Sequence, residues 1–176
     1  IVAMIYPRKT YSELLKHAQT PLVTVLTGMR RTGKTTLVKQ ILIDLPNKNS
    51  VYLDFQKIDI REIFQVKNYD LIRQRLISMN IKPENMIIAI DEIQLVPDAP
   101  SAIKYLYDTY NIKFILTGSS SYYLKNLFSE SLAGRKKIFE LFPLDFGEFL
   151  TFKQINFLKT DWVNKKIDKF EFGQLS

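Results

Sequence analysis

The stretch VTVLTGMRRTGKTTL, Val23 to Leu37, constrains the fold more than any other part of the 176-residue chain. Within it, the run from Gly28 to Thr35 matches the Walker A pattern G-x-x-x-x-G-K-[ST] at every fixed position. Apolar and β-branched residues before the motif predict a short buried strand, and the helical spacing of Leu37, Ile41 and Leu45 predicts a following helix. Strand, glycine loop and helix therefore occur in the order that a phosphate-binding loop requires.

Each fixed position of this loop has a chemical task. Backbone N–H groups at the helix N-terminus converge on phosphate oxygens, and the glycines leave room for that approach. Lys34 is expected to reach the β- and γ-phosphates, and the Thr35 hydroxyl to reach Mg²⁺. A glycine turn with a surface lysine is the competing interpretation, which the flanking strand and helix disfavour. The predicted nucleotide-binding set is Gly28, Met29, Arg30, Arg31, Thr32, Gly33, Lys34, Thr35 and Thr36.

Another predicted strand, the third along the chain, ends in two carboxylates within the sequence MIIAIDEIQ, from Met86 to Gln94. Its five apolar residues predict a strand buried on both faces, as in parallel sheets. Ligands gather at the carboxyl ends of such strands, which is also where the phosphate loop lies. Asp91 is therefore predicted to orient Mg²⁺, and Glu92 to polarise the attacking water, as in a Walker B motif. Gln94 either positions polar groups there or is a surface amide.

The rest of the chain predicts an α/β protein of the P-loop NTPase type, a three-layer sandwich. Further strands are expected at Ser50–Phe55, Lys113–Ser121 and near Lys137–Leu141, giving a five-stranded parallel sheet in the order 5-1-4-3-2. Helices are expected at about 61–79, at 99–110 and after Asp145, which stands at capping-box spacing from Glu148. We divide the chain into an N-terminal segment or helix (1–20), the P-loop ATPase domain (21–150) and the start of a helical or lid region (151–176).

The predicted fourth strand ends in hydroxyl residues, within KFILTGSSS. In P-loop ATPases with an additional strand, this strand lies between the two motif-bearing strands and ends in a polar sensor of the γ-phosphate. Thr117 and Ser119 are the candidates for that role. Alternatively, Ser119 to Ser121 cap the amphipathic helix that follows, and the two roles are compatible.

Composition excludes several classes of site. The chain has no cysteine and one histidine, His17, so disulfides, thiolate metal sites and multi-histidine centres are ruled out. His17 is predicted to be an ordinary surface or boundary residue of an amphipathic helix. No apolar run approaches the length of a membrane span and no signal peptide is visible, so we expect a cytoplasmic protein without a membrane partner. The net charge of +7 permits nucleic-acid binding, but the positive charge is scattered and no motif supports that partner.

Five segments together, TGMRRTGKTTL, IDEIQ, LTGSSS, LAGR and FPLDFGEF, resemble in order the archaeal-type AAA-like ATPases. The resemblance covers about residues 7–150 and implies ATP as the nucleotide. Members of this family continue into a helical region and a C-terminal domain. The resemblance therefore implies that this chain is the N-terminal ATPase domain of a longer protein, as does its start at Ile1 rather than at a methionine.

The resemblance also assigns two further sites. Arg135, in LAGR, matches a family position able to reach a γ-phosphate, in the same subunit or in a neighbour. The competing interpretation is a surface cation paired with an acidic neighbour, and both stay open. Arg30 and Arg31 also match the family's loop, where their role is open.

These features predict an ATPase that requires Mg²⁺, with ATP and Mg²⁺ as cofactors, Glu92, Lys34, Thr117, Ser119 and Arg135 as catalytic residues, and Thr35 and Asp91 as metal ligands. Its hydrolysis would drive or gate an attached C-terminal effector domain. The alternative is a nucleotide-gated switch or scaffold with little turnover, in which a homo-oligomer completes the site. A small-molecule kinase lacks an arginine-rich lid here. A GTPase is excluded because no N-K-x-D motif is present and the acidic motif is D-E rather than D-x-x-G. A DNA-acting motor is permitted by charge alone.

Overall fold

The computed structural model describes residues 8–119 and 132–153. They belong to two compact units, residues 9–143 and a smaller unit that includes Arg8 and the residues from Leu144 onward. In the larger unit the helices are α1 (Tyr11–Ala18), α2 (Lys34–Asp44), α3 (Ile58–Phe64), α4 (Asp70–Ser78) and α5 (Ala99–Tyr110). The strands are β1 (Val23–Thr27), β2 (Ser50–Asp54), β3 (Ile87–Asp91), β4 (Lys113–Gly118) and β5 (Lys136–Glu140), and a short 3₁₀ helix spans Ile93–Leu95.

The five strands form one parallel sheet in the order β2-β3-β4-β1-β5. The predicted order, 5-1-4-3-2, is this order read from the other edge, and it is confirmed. Register places Thr27 of β1 beside Gly118 of β4, and Asp91 of β3 beside Asp54 of β2. The carboxyl ends of β1, β3 and β4 consequently meet at one edge of the sheet.

Helices cover both faces of the sheet, which gives the predicted three layers. Alternate residues along each strand point to opposite faces because the side-chain period of a strand is two. One face packs Leu26, Ala89 and Ile115 against α1 and α2. The other packs Val25, Ile88 and Phe114 against α3, α4 and α5 in a larger apolar cluster. The strand ends thus lie between two packed cores, and the candidate site lies at those ends.

The smaller unit begins with the predicted capping box. The Asp145 carboxylate accepts from the Glu148 backbone N–H at 2.9 Å, and the Glu148 carboxylate accepts from the Asp145 N–H at 3.1 Å. The helix that follows, α6, spans Phe146–Phe152. Because both partners of a capping box are local in sequence, this helix start was predictable.

Two element boundaries differ from expectation by more than one residue. The helical stretch expected at 61–79 is two helices, because the Asn68 side chain accepts from the Asp70 N–H at 3.0 Å and starts α4 as a separate element. The fourth strand ends at Gly118 rather than Ser121. The amphipathic helix expected after Ser121 lies outside the described residues.

The prediction that His17 is a surface or boundary residue is wrong. Only 9% of His17 is exposed, because the helical spacing of α1 puts it on the same buried face as Leu14 and Ala18. Its Nδ1 lies 2.9 Å from Thr24 Oγ1, and its ring packs edge-on against Phe139. His17 is thus part of the packing between α1 and the sheet.

A buried lysine lies next to this histidine. Lys113, 9% exposed, donates from Nζ to the Leu22 carbonyl, to Thr24 Oγ1 at 2.9 Å and to the His17 carbonyl at 3.3 Å. All three of its N–H donors therefore have acceptors, but these acceptors are uncharged. Burial lowers the pKa of Lys113 to about 7.

This shift predicts a pH-dependent stability. Between about pH 7 and pH 10 the unfolded chain binds a proton at Lys113 that the folded chain does not, so the free energy of unfolding rises with pH. From about pH 7 to pH 9.5 the expected contribution is about 3 kcal/mol. Urea unfolding at both pH values should show this rise in the wild type and its loss in Lys113→Met. Lys16→Met, at an exposed position of α1, is the control and should keep the wild-type slope. Equal slopes in wild type and Lys113→Met would contradict the assignment.

Candidate functional site

The phosphate loop connects the end of β1 to the start of α2 with an unusual backbone. Gly28 has φ of 146° and Gly33 has φ of 95°, conformations that favour glycine. Gly28 is also required by packing, because a Cβ there would lie 2.2 Å from the Leu141 carbonyl oxygen. Leu141 N–H in turn donates to the Thr27 carbonyl at 2.7 Å. The loop is thus fixed against the end of β5, a constraint that the sequence motif does not reveal.

Lys34 is the first residue of α2, and its side chain curls over the loop. It is 5% exposed, and Nζ donates to the Gly28 carbonyl at 2.9 Å and to the Met29 carbonyl at 2.7 Å. Burial lowers its pKa, an effect that the carboxylates of Glu92 and Asp91 oppose. An ammonium within a ring of loop backbone is suited to binding phosphate oxygens.

Asp91, at the end of β3, is a buried carboxylate surrounded by hydroxyl groups. It is 3% exposed, and its Oδ2 accepts from Thr35 Oγ1 and from the Tyr52 hydroxyl, each at 2.6 Å, while Oδ1 accepts from Thr117 Oγ1. In the described part of the chain, no lysine or arginine lies within ion-pair distance of it. Buried charges are normally paired or coordinate a metal ion, so Asp91 and Thr35 fit a divalent cation.

The donor set indicates which kind of cation fits. Among residues 8–119 and 132–153, no three His, Asp or Glu side chains are grouped closely enough to form a metal cage. A single carboxylate with a neighbouring hydroxyl is typical of Mg²⁺, which keeps several waters and takes other ligands from substrate phosphates. The site therefore fits Mg²⁺ brought with a polyphosphate better than a metal held by protein ligands alone.

Glu92 follows Asp91 in a left-handed conformation, with φ of 56° and ψ of 49°. This conformation is costly for a non-glycine residue, and such residues cluster at functional sites. Its carboxylate is half-buried and accepts from Ser119 Oγ at 2.9 and 2.7 Å, and from Gln94 Nε2. The side chain of the predicted water activator is thus held in one orientation by two donors.

Both sensor candidates lie at these carboxylates. Thr117 donates to Asp91 and accepts from the Glu92 backbone N–H at 3.2 Å, so it connects β4 to β3. Ser119 contacts Glu92 directly. The alternative role for Ser119 to Ser121, capping the next helix, concerns residues outside the described part of the chain.

One contributor to the site was missed by sequence reasoning. Tyr52 lies on β2 opposite Ala89 of β3, and its hydroxyl reaches Asp91 two residues further on. The sequence did contain a pattern that places Tyr52 near Asp91. In a parallel register, the period-two alternation of side chains sets both residues on the same face of the sheet. A single tyrosine within an apolar strand gave no reason to look for it.

Comparison with known proteins identifies the family. A family model described as an AAA domain matches residues 20–150. The chain belongs to this AAA domain family. An uncharacterised protein of Haemophilus influenzae is 28% identical over 174 residues, covering 96% of this chain and 43% of that protein. An uncharacterised protein of Methanocaldococcus jannaschii is 33% identical over 154 residues, covering 87% of this chain and 32% of that protein. The chain thus spans less than half the length of these two relatives.

Solved structures agree on the fold of this AAA domain. The Pif1 helicase from Candida albicans superposes with a TM-score of 0.57 at 14% identity, covering 81% of this chain and 41% of that chain. At this identity the likeness shows the fold alone. Together with the family, it establishes an AAA-type P-loop domain of the nucleotide-binding class.

Arg135 is the one predicted site residue that lies away from the loop of this AAA domain. Its carbonyl accepts from Val23 N–H at 2.8 Å, at the start of β1, whereas the loop follows the end of β1, about 13 Å further along the strand. Its guanidinium pairs with Asp108 of α5 at 2.9 Å. A γ-phosphate contact within the same subunit does not fit this geometry. The acidic-neighbour interpretation matches what is seen, and a role in a neighbouring subunit stays a prediction.

The variable positions of the loop are the most exposed part of the site. The side chains of Met29, Arg30, Arg31 and Thr36 face solvent, and Arg31 adopts a left-handed backbone with φ of 66°. Thr32 Oγ1 donates to the Met29 carbonyl at 2.9 Å and stabilises the turn. Of the predicted nucleotide-binding set, Lys34 and Thr35 bring side-chain groups to the loop interior.

In the part of the chain described here, no helix has the length and apolar character needed to cross a membrane.

Proposed function

We propose that this AAA domain binds ATP with Mg²⁺ and hydrolyses it, and that the cycle drives or gates an attached C-terminal effector domain. The observation that carries the proposal is the buried Asp91 carboxylate, held 2.6 Å from the Thr35 hydroxyl of the phosphate loop and followed directly by Glu92. A metal-binding pair and a water activator thus adjoin a loop built for phosphate.

The roles in binding are derived from the contacts. Backbone N–H groups between Gly28 and Lys34 would cradle the β-phosphate, and Lys34 would exchange its carbonyl acceptors for β- and γ-phosphate oxygens. Thr35 and Asp91 would hold Mg²⁺, which when bound neutralises charge on the phosphates. The exposed arginines of the loop are left without an assigned role.

Hydrolysis would depend on Glu92. Its carboxylate would accept a proton from a water whose oxygen bonds to the γ-phosphorus while the bond to the β–γ bridging oxygen breaks, giving ADP and phosphate. Ser119 and Gln94 orient that carboxylate, and Thr117 keeps β3 and β4 in register beside it. Ser119 is within reach of the same region and would sense the γ-phosphate.

Other observations support ATP as the nucleotide, an effector region in the whole protein and a cytoplasmic location. ATP is favoured over GTP because the guanine-specific N-K-x-D motif is missing from the sequence. The longer relatives support an effector region beyond this domain, with 21–150 as the ATPase domain and 151–176 as the start of a helical or lid region. We place the protein in the cytoplasm, where ATP is available and a chain without cysteine needs no oxidising environment.

A second candidate function is a switch that binds ATP and turns over rarely. Two observations favour it. Glu92 is already bound by two donors, and Arg135 is held by Asp108 at the far end of β1. In such a switch Arg135 would reach a γ-phosphate from a neighbouring subunit, so turnover would begin on assembly.

Measuring ATP hydrolysis at several protein concentrations, on this chain and on the full-length protein with Mg²⁺, separates the two functions. We expect turnover per subunit to rise with protein concentration, because a neighbour's Arg135 completes the site. Arg135→Ala should lower turnover more than it lowers ATP affinity. Asp108→Asn is the matched control, since it removes the partner of Arg135 but leaves the guanidinium in place.

Turnover per subunit that rises with concentration would support an ATPase whose site is completed across a subunit interface. Turnover per subunit that does not change with concentration, together with unchanged turnover in Arg135→Ala, would exclude the neighbour's arginine and leave a self-sufficient ATPase. Equal losses of affinity and turnover in Arg135→Ala would make the pair with Asp108 structural. Tight ATP binding without turnover in the full-length protein would overturn the ATPase in favour of the switch.

A further inference from the structure

The acceptor sites of Asp91 are unusually well filled for a predicted metal ligand. A carboxylate has about four lone-pair sites, and three of them here receive hydroxyl hydrogens from Thr35, Tyr52 and Thr117. Thr35 belongs to the phosphate loop and Thr117 was predicted from the sequence. Tyr52, from the edge strand β2, is the contact that neither the motif nor the family description accounts for.

We propose that Tyr52 is a positioning residue that fixes the Asp91 carboxylate for the divalent cation. This inference rests on the proposed function of the site. The Tyr52 hydroxyl shares Oδ2 with Thr35 while Thr117 holds Oδ1, so both oxygens are fixed and the carboxylate cannot rotate freely. Outer hydrogen bonds of this kind orient the ligands of protein metal sites.

The ring of Tyr52 is itself held from two sides. Parallel pairing of β2 with β3 sets its backbone opposite Ala89, and its ring packs against the apolar cluster on the α1 and α2 face. Lys39 of α2 places its ammonium 4.7 Å from the ring centroid, an attractive cation–π contact. Tyr52 therefore connects the strand that carries Asp91 with the helix that begins at Lys34 and Thr35.

Packing alone does not require this hydroxyl. A phenylalanine would keep the ring, the contact with Lys39 and the burial, and would lose only the bond to Asp91. Half-buried hydroxyls usually have a partner, and this one donates to a buried carboxylate rather than to water or backbone. The effect of removing the hydroxyl should therefore concern the cation and not the fold.

The inference is tested with the variant Tyr52→Phe, in which nucleotide and metal binding are measured rather than ATP hydrolysis. A fluorescent ATP analogue is titrated with and without Mg²⁺, and Mn²⁺ binding in the presence of ADP is followed by electron paramagnetic resonance. Loss of an outer hydrogen bond typically costs about 10–100-fold in metal affinity; because two hydroxyls remain on Asp91, we expect about 3–10-fold. The Mg²⁺ concentration for half-maximal binding should rise by that factor, with Mg²⁺-free nucleotide affinity unchanged.

Tyr105→Phe is the matched control. Its hydroxyl also donates to a carboxylate, Asp70 Oδ1 at 2.8 Å, but on α4, outside the set of residues that bind nucleotide here. It should leave the Mg²⁺ midpoint unchanged, and thermal unfolding of both variants shows whether either loses its fold.

The outcomes separate this inference from the proposed function. A wild-type Mg²⁺ midpoint in Tyr52→Phe would overturn the inference and leave the proposed function intact. Equal weakening of nucleotide affinity with and without Mg²⁺ would make Tyr52 a packing residue, which also overturns it. Nucleotide binding by the wild type that does not depend on Mg²⁺ would instead contradict the proposed function itself.

Discussion

Lys34→Ala is expected to weaken ATP binding about a hundredfold or more. Hydrogen bonds to charged groups contribute about 1.5–3 kcal/mol each, and Lys34 would form at least one to the β-phosphate and one to the γ-phosphate. The backbone cradle remains in the variant, so residual binding is expected rather than none. Isothermal titration calorimetry with ATP and Mg²⁺, at one fixed salt concentration, measures the loss.

The fold should tolerate this change. The ammonium of Lys34 is buried with its pKa lowered by that burial, and its acceptors are loop carbonyls that solvent can reach once the side chain is removed. Stability should therefore change little, and urea unfolding checks it. Lys104→Ala, which removes an exposed lysine of α5, controls for the change in net charge. Unchanged ATP affinity in Lys34→Ala, or an equal loss in Lys104→Ala, would contradict the assignment of the loop.

The local features of this domain could be predicted from the sequence because their causes are local. The phosphate loop needs glycine at Gly28 and Gly33 for its backbone, and the capping box needs Asp145 and Glu148 three residues apart. The strand order came from a different kind of argument. It followed from the known arrangement of P-loop ATPases with an additional strand, in which the strand ending in the sensor residue lies between the two motif-bearing strands.

The features that were missed depend on contacts between residues distant in sequence. Tyr52 reaches Asp91 only through the register of β2 on β3, and no local pattern distinguishes it from an ordinary strand tyrosine. Gly28 is held against Leu141, more than a hundred positions later in the chain. His17 has the spacing of a buried helix face, but a polar side chain predicts exposure unless a buried partner such as Thr24 is identified.

Arg135 shows a related limit. Its motif carried the expectation of a phosphate contact, but a motif fixes residue type and not position in the sheet. The hydrogen bond from Val23 N–H to its carbonyl sets Arg135 at the amino end of β1, away from the phosphate loop, which follows the carboxyl end. Predicting it would have required combining the expected start of β5, one residue later than in the structure, with its parallel pairing to β1.

Glu92→Gln is expected to keep ATP binding and to lower hydrolysis about a hundredfold or more, the usual cost of removing a general base. Binding should persist because Lys34, Thr35 and Asp91 are unchanged. The amide has nearly the size and shape of the carboxylate, so Ser119 can still donate to its oxygen. Gln94 can adapt as well, since its Oε1 is buried without a hydrogen-bond partner in the described structure and could accept from the new amide.

Phosphate release at saturating ATP and Mg²⁺, measured beside ATP affinity, gives the two quantities that this prediction separates. Glu84→Gln, at an exposed position before β3, is the matched control and should retain both turnover and affinity. Normal turnover in Glu92→Gln would remove Glu92 from the reaction and leave Asp91 as the only carboxylate of the site with an assigned role. A loss of affinity equal to the loss of turnover would mean that the Glu92 carboxylate serves binding, because the side chain would then matter before the chemical step begins.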